Sequence, residues 1–97
     1  MTTLEILVAA RAKIAQGWTQ GCLARDARGE QSDCWSKESR FFCAGGALMA
    51  ACQEGHHAML TIKNLVGDRV DAWNDAPGRT QAEVLAVFDR AIESAKQ

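Results

Sequence analysis

No apolar run in this chain reaches the roughly 20 residues that a bilayer-spanning helix needs, so a membrane is not an expected partner. Tetrahedral zinc is usually held by closely spaced cysteine pairs such as C-x2-C, and no such pair is present. The glycine-rich, lysine-ended loop that cradles phosphates is also absent. Charge of one sign is never concentrated: six basic and five acidic residues precede Ala50, five and seven follow it, and the net charge is -1. Without a basic stripe to neutralise a phosphate backbone, nucleic acid is not an expected partner either. The N-terminal MTTLEILVAARAKIAQG starts apolar, but Glu5, Arg11 and Lys13 interrupt it and no positively charged segment precedes it. It does not read as a secretory signal, so the cytoplasm is the expected compartment and the four cysteines are expected as reduced thiols.

What is present is an apolar spine. Phe41 to Cys52, FFCAGGALMAAC, contains only apolar, glycine or cysteine residues. Its poverty in β-branched side chains predicts a helix at the centre of a bundle. Gly45 and Gly46 each cost about 1 kcal/mol relative to alanine inside a helix. The expected return is close approach by a neighbouring helix, or by Trp18 or Trp35. Ninety-seven residues are one domain's worth of chain with one core. The expected fold is therefore all-α: a single helical domain over residues 1–97, a compact bundle of about four main helices with an irregular loop after the first.

The flanking elements follow from punctuation. Thr2 and Glu5 have capping-box spacing, predicting a helix from Leu4 to about Gln16 that stops at Gly17. Gly17 to Cys34 is the least periodic segment, with room for one or two helical turns over Cys22 to Arg28 and an exposed loop over DARGEQSD, Asp26 to Asp33. Ser36 or Ser39 is expected to cap the central helix, which ends near Glu54 and Gly55. His56 to Val66 reads as a further helix and Val70 to Trp73 as a single turn. In Asn74 to Arg79, NDAPGR, the one proline fixes φ and Gly78 supplies a corner. Thr80 and Glu83 repeat the capping-box spacing, and Val84, Leu85, Phe88, Ala91, Ile92 and Ala95 follow at helical spacing. That stripe is expected to bury against the central helix.

Three arrangements carry potential chemistry. Cys34, Cys43, Cys52 and His56 contain metal-ligating types, but Cys43 and Cys52 would face opposite ways on a continuous helix, so no metal and no cofactor is expected. Cys52 and His56 stand at i and i+4, the spacing of a thiol and its base on one helix face. The PGRT turn before the last helix offers free amides beside Arg79 to an anion, opposed by Asp71 and Asp75.

Three segments together resemble a family of small bacterial and phage proteins. They are GWTQG from Gly17 to Gly21, CAGGAL from Cys43 to Leu48, and WNDAPGRTQAEVLAVFDRAI from Trp73 to Ile92. The marked positions are Trp18, Cys43, Gly46, Ala47 and Leu48, then Asn74, Asp75, Gly78, Arg79, Thr80, Glu83 and Val84. The resemblance implies a shared fold and no particular activity; the phage relatives suggest a host-interaction role. The expected function is a non-enzymatic interaction or regulatory domain that contacts a protein or small ligand through Trp73, Asn74, Asp75, Arg79 and Thr80. On that expectation, replacing Arg79 weakens a partner with little change in stability. The competing expectation is a Cys/His-dependent enzyme or a metal-binding protein using Cys43, Cys52 and His56. A homodimer is compatible with either.

Overall fold

The first helix, α1 (Thr3–Gln16), starts as its punctuation predicts. Thr2 Oγ1 accepts the amide of Glu5 at 3.1 Å while the Glu5 carboxylate accepts the amide of Thr2 at 2.9 Å. In a computed structural model that describes residues 1–52 and 56–97, four further helices follow. They are α2 (Ala44–Ala51), α3 (His56–Val66), α4 (Val70–Asn74) and α5 (Gln81–Ala95). The last opens on the expected Thr80/Glu83 capping box. The expected end of the central helix at Glu54 and Gly55 lies outside the described residues.

The all-α expectation is overturned by a three-stranded antiparallel sheet inserted between α1 and α2. Its strands are β1 (Ala24–Asp26), β2 (Gln31–Ser32) and β3 (Ser39–Phe42), in the order β2-β1-β3. The segment Cys22 to Arg28 is thus not helical. Asp26 closes a hairpin instead: its Oδ1 accepts the amides of Arg28 and Glu30, and Gly29 takes the left-handed φ of +84° that the turn requires. Ala24 pairs with Phe42 and Arg25 with Phe41; Asp26 then pairs with Ser39, so Arg40 is an extra residue that bends β3.

The apolar spine is therefore two elements. Phe41 and Phe42 end β3, and the helix begins only after Cys43, whose extended backbone (φ -77°, ψ 170°) marks it as the cap. Neither Ser36 nor Ser39 caps α2; Ser39 is in the strand, with its hydroxyl donating to the Asp33 carbonyl at 2.6 Å.

The core is centred on α1. Ile6, Leu7, Ala10 and Ile14 are buried together with Ala44, Ala47 and Leu48 of α2 and Val84, Phe88 and Ala91 of α5. The α5 stripe packs chiefly on α1, and secondly on α3, instead of on α2. Arg11 and Asp89 add an exposed ion pair across the α1–α5 seam. After α1, Gly17 runs against β3, where a Cβ would stand 2.5 Å from the Arg40 carbonyl oxygen. The chain then pairs with β3, with the Phe42 amide donating to the Gly17 carbonyl at 3.0 Å and the Thr19 amide to the Phe42 carbonyl at 3.2 Å. This places Trp18 to Gly21 beside the turn that follows α4.

Candidate functional site

Asn74 joins two segments more than fifty residues apart in the sequence. Its side chain is fully buried and completely satisfied. Oδ1 accepts Trp18 Nε1 at 2.8 Å and the Ala44 amide at 3.0 Å; Nδ2 donates to the Thr19 carbonyl at 3.1 Å and to Asp75 Oδ1 at 2.9 Å. These are all the bonds a primary amide can make at full geometry. Gln20 Nε2 returns the contact by donating to the carbonyls of Asn74 and Ala76, and the Gly21 amide donates to Asp75 Oδ1. The loop after α1 and the turn after α4 thus form one clasp, and the clasp holds the start of α2 through Ala44.

Each residue expected to form a binding patch has an intramolecular task in or beside this clasp. Asn74 is its hub, and Asp75 fixes Gly21. Arg79 lies over the Trp73 ring, 4.1 Å from its centroid, donates Nε to the Trp73 carbonyl at 3.0 Å, and pairs with Glu83 at 3.2 Å. Thr80 caps α5. R79A is accordingly expected to lower stability by about 1–2 kcal/mol in a denaturant titration, from the lost stacking and hydrogen bond.

The anion site considered for the PGRT turn is filled from within. The Glu83 carboxylate accepts the Thr80 amide at 2.9 Å, and the Thr80 hydroxyl accepts the Glu83 amide at 3.2 Å. The bond from the Thr80 backbone, more than the nearby Arg79 charge, holds the Glu83 carboxyl below its ordinary range. Thr2 does the same for Glu5. A depressed carboxylate contributes stability that is present above its unfolded pKa, about 4.3, and lost as pH falls through the lower folded value. Melting curves between neutral and acid pH are therefore expected to show a drop below that point, and the drop should be shallower in an E5Q/E83Q double variant.

Cys43 caps α2 as a serine would. Its Sγ accepts the Gly46 amide at 3.2 Å, while its own amide donates to the Leu23 carbonyl at 3.1 Å. Gly46 crosses that same carbonyl: a Cβ there would overlap the Leu23 oxygen and lie 2.8 Å from its carbon. Burial pushes the Cys43 thiol up, with the neighbouring Asp75 charge acting in the same direction, and burial also raises Cys34. An activated thiol needs the opposite shift. Cys43 and Cys52 cap opposite ends of α2. Among the described residues, no cysteine is hydrogen-bonded to a histidine and no three His, Cys, Asp or Glu side chains are grouped to hold a metal ion, which argues against the metal-binding expectation. In timed alkylation at neutral pH followed by peptide mapping, the half-buried Cys22 and Cys52 should label first. Buried Cys34 and Cys43 should lag by about tenfold or more; Cys43 labelling ahead of Cys22 would revive the nucleophile.

The sequence did not point to a surface that α2 shares with α3 and α4. Leu23, Gly45, Met49, Met59 and Val70 line an apolar groove of about 400 Å³ between α2, α3 and α4. Lys63, Arg69 and Asp71 stand at its rim. Gly45 differs from Gly46, because a Cβ at position 45 would meet only Cys43 Sγ and the Met59 methyl, both at an ordinary 3.9 Å. Packing thus requires glycine at 46 and leaves it unexplained at 45. Leu60, half exposed, follows Met59, and the exposed Trp35 bonds its indole N–H to the Met49 carbonyl at 3.0 Å. A second concavity between α3 and α5 is open and bordered by the mixed charges of Asp89, Arg90 and Glu93. The signal for the apolar groove was present in Leu23, Met49, Met59 and Leu60, but it is spread over three elements.

Residues 1–94 match DUF6197, a family of unknown function, and the chain belongs to that family. No curated protein and no solved structure matches it.

Proposed function

We propose that this member of the family is a non-enzymatic binding domain that engages another protein through the groove between α2, α3 and α4. One observation carries the reading: exposed large apolar side chains gather at and around this groove. Leu23 lines it, Leu60 follows the lining residue Met59 on α3, and Trp35 is tied to the backbone of Met49. Clustered exposed apolar surface is characteristic of interaction sites, whereas isolated apolar residues are not. The Trp73–Thr80 turn serves this surface indirectly, as the clasp that fixes α2 and α4 against the loop bearing Leu23. Four free thiols, two of them buried with raised pKa, favour a reducing compartment such as the cytoplasm over thiol catalysis.

Photo-crosslinking in the source cells tests the reading with a built-in control. Leu60 and Val8 are equally exposed, at 50% and 49%, but Val8 lies on α1, which contributes no residue to the groove lining. A benzophenone side chain at position 60 should give a discrete protein adduct that position 8 does not. Equal adducts, or none at position 60, would contradict it.

A further inference from the structure

We infer that the occupant of this groove is an apolar segment of another polypeptide with acidic side chains beside its apolar anchors. The inference rests on the groove reading above and adds the chemistry of the partner. The floor of Leu23, Met49, Met59 and Val70 offers a carboxylate nothing, but the rim does. Lys63 is exposed and has no acidic partner among the described residues, whereas Arg69 faces Asp71 at 3.3 Å. Among the described residues lining the groove, two cations and one anion sum to a charge of +1, against -1 for the whole chain. A segment that buries an apolar side chain in the groove brings its neighbours over Lys63, and an acidic neighbour is the one that gains there.

Two further features select a polypeptide. Leu60, half exposed, stands three residues before Lys63 on the same helix and outside the lining of the concavity, so exposed apolar surface on α3 is not confined to the groove. Met49 and Met59 are flexible, polarisable side chains suited to differing apolar anchors. The combination matches groove recognition, in which spaced apolar anchors supply affinity and flanking charges set selectivity.

The test is selection of a displayed library of random short peptides on the full-length chain. Peptides should enrich that pair apolar residues with Asp or Glu, and their binding should weaken as salt rises. L23E and L60E, both at exposed side chains, should abolish binding while leaving the melting temperature near that of the parent. K63E should weaken the selected peptides by about fivefold, and a repeat selection on K63E should favour basic in place of acidic flanks. If peptides enrich that are insensitive to L23E and L60E, or none enriches, the groove reading itself fails. Peptides that depend on Leu23 and Leu60 but show no acidic preference and no response to K63E would overturn only the present inference. A dimer by light scattering that L60E dissolves would also overturn it, by assigning the groove to a second copy of the chain.

Discussion

G46A is expected to prevent folding or to cost more than about 4 kcal/mol, although it changes one hydrogen into a methyl group in a helix that intrinsically prefers alanine. The methyl carbon would overlap the carbonyl oxygen of Leu23 and approach its carbonyl carbon to 2.8 Å and its Cα to 3.1 Å. Backbone atoms have no rotamer to escape into. Moving Leu23 away breaks the bond from the Cys43 amide to the Leu23 carbonyl, and with it the approach of the β1 strand to β3 and the cap of α2. G45A is the matched control, one residue earlier in the same helix. Its methyl would meet two sulfur-bearing side chains at 3.9 Å, so helix propensity decides the outcome and the variant should gain up to about 1 kcal/mol. Urea titration of both proteins separates the effects; similar results for the two would show that the close crossing at Leu23 is wrong.

Replacing Asn74 is the second large effect. N74A leaves the Trp18 indole N–H, the Ala44 amide and the Thr19 carbonyl without the partner each has in the native state. Each buried polar group left unpaired costs about 1–3 kcal/mol. Allowing for water entering the partly buried side of the clasp, a loss of about 3–5 kcal/mol is expected. N74D separates shape from bonding. It keeps an acceptor for Trp18 and Ala44 but turns an anionic oxygen toward the Thr19 carbonyl and the Asp75 carboxylate, which the native amide serves as a donor. N74D should therefore be strongly destabilised at neutral pH and recover in part as mild acid protonates the new carboxyl, a sign opposite to that expected for Glu83. Trp fluorescence follows both, since the Trp18 indole loses its fixed acceptor. A loss below about 1 kcal/mol for N74A would mean that the clasp is not a structural hub.

What the sequence made legible is what is encoded locally. Both capping boxes depend on residues three apart, and α1 and α5 begin where Thr2 and Thr80 predict. The sheet was not legible because its strands hold two to four residues, too few for an alternating pattern to register. The spine over Phe41 to Cys52 was read as one helix for a related reason. Cysteine is not among the strongly preferred cap residues, so nothing at Cys43 announced a boundary between strand and helix. The close approach expected at the glycine pair is present at Gly46 alone, and the neighbour is the backbone at Leu23 in place of a helix or a tryptophan. At the other end of the domain, the NDAPGR turn was recognisable from Pro77 and Gly78. That Asn74 points inward to Trp18 and Ala44 depends on contacts 30 and 56 residues away, which local spacing does not encode.

The proposed function separates the turn that the sequence singled out from a groove that it did not. The Trp73–Thr80 turn and the Trp18–Gly21 loop tie the end of α4 to the start of α2, and the groove proposed as the binding surface is lined from α2, α3 and α4. Amide and methyl chemical shifts, followed while the full chain is titrated with an acidic-apolar peptide from the selection above, test this division directly. The account predicts perturbations concentrated at Leu23, Met49, Met59, Leu60 and Lys63, with the Trp18 indole N–H unmoved. Perturbations concentrated at Trp73, Asp75, Arg79 and Thr80, with the groove silent, would contradict it.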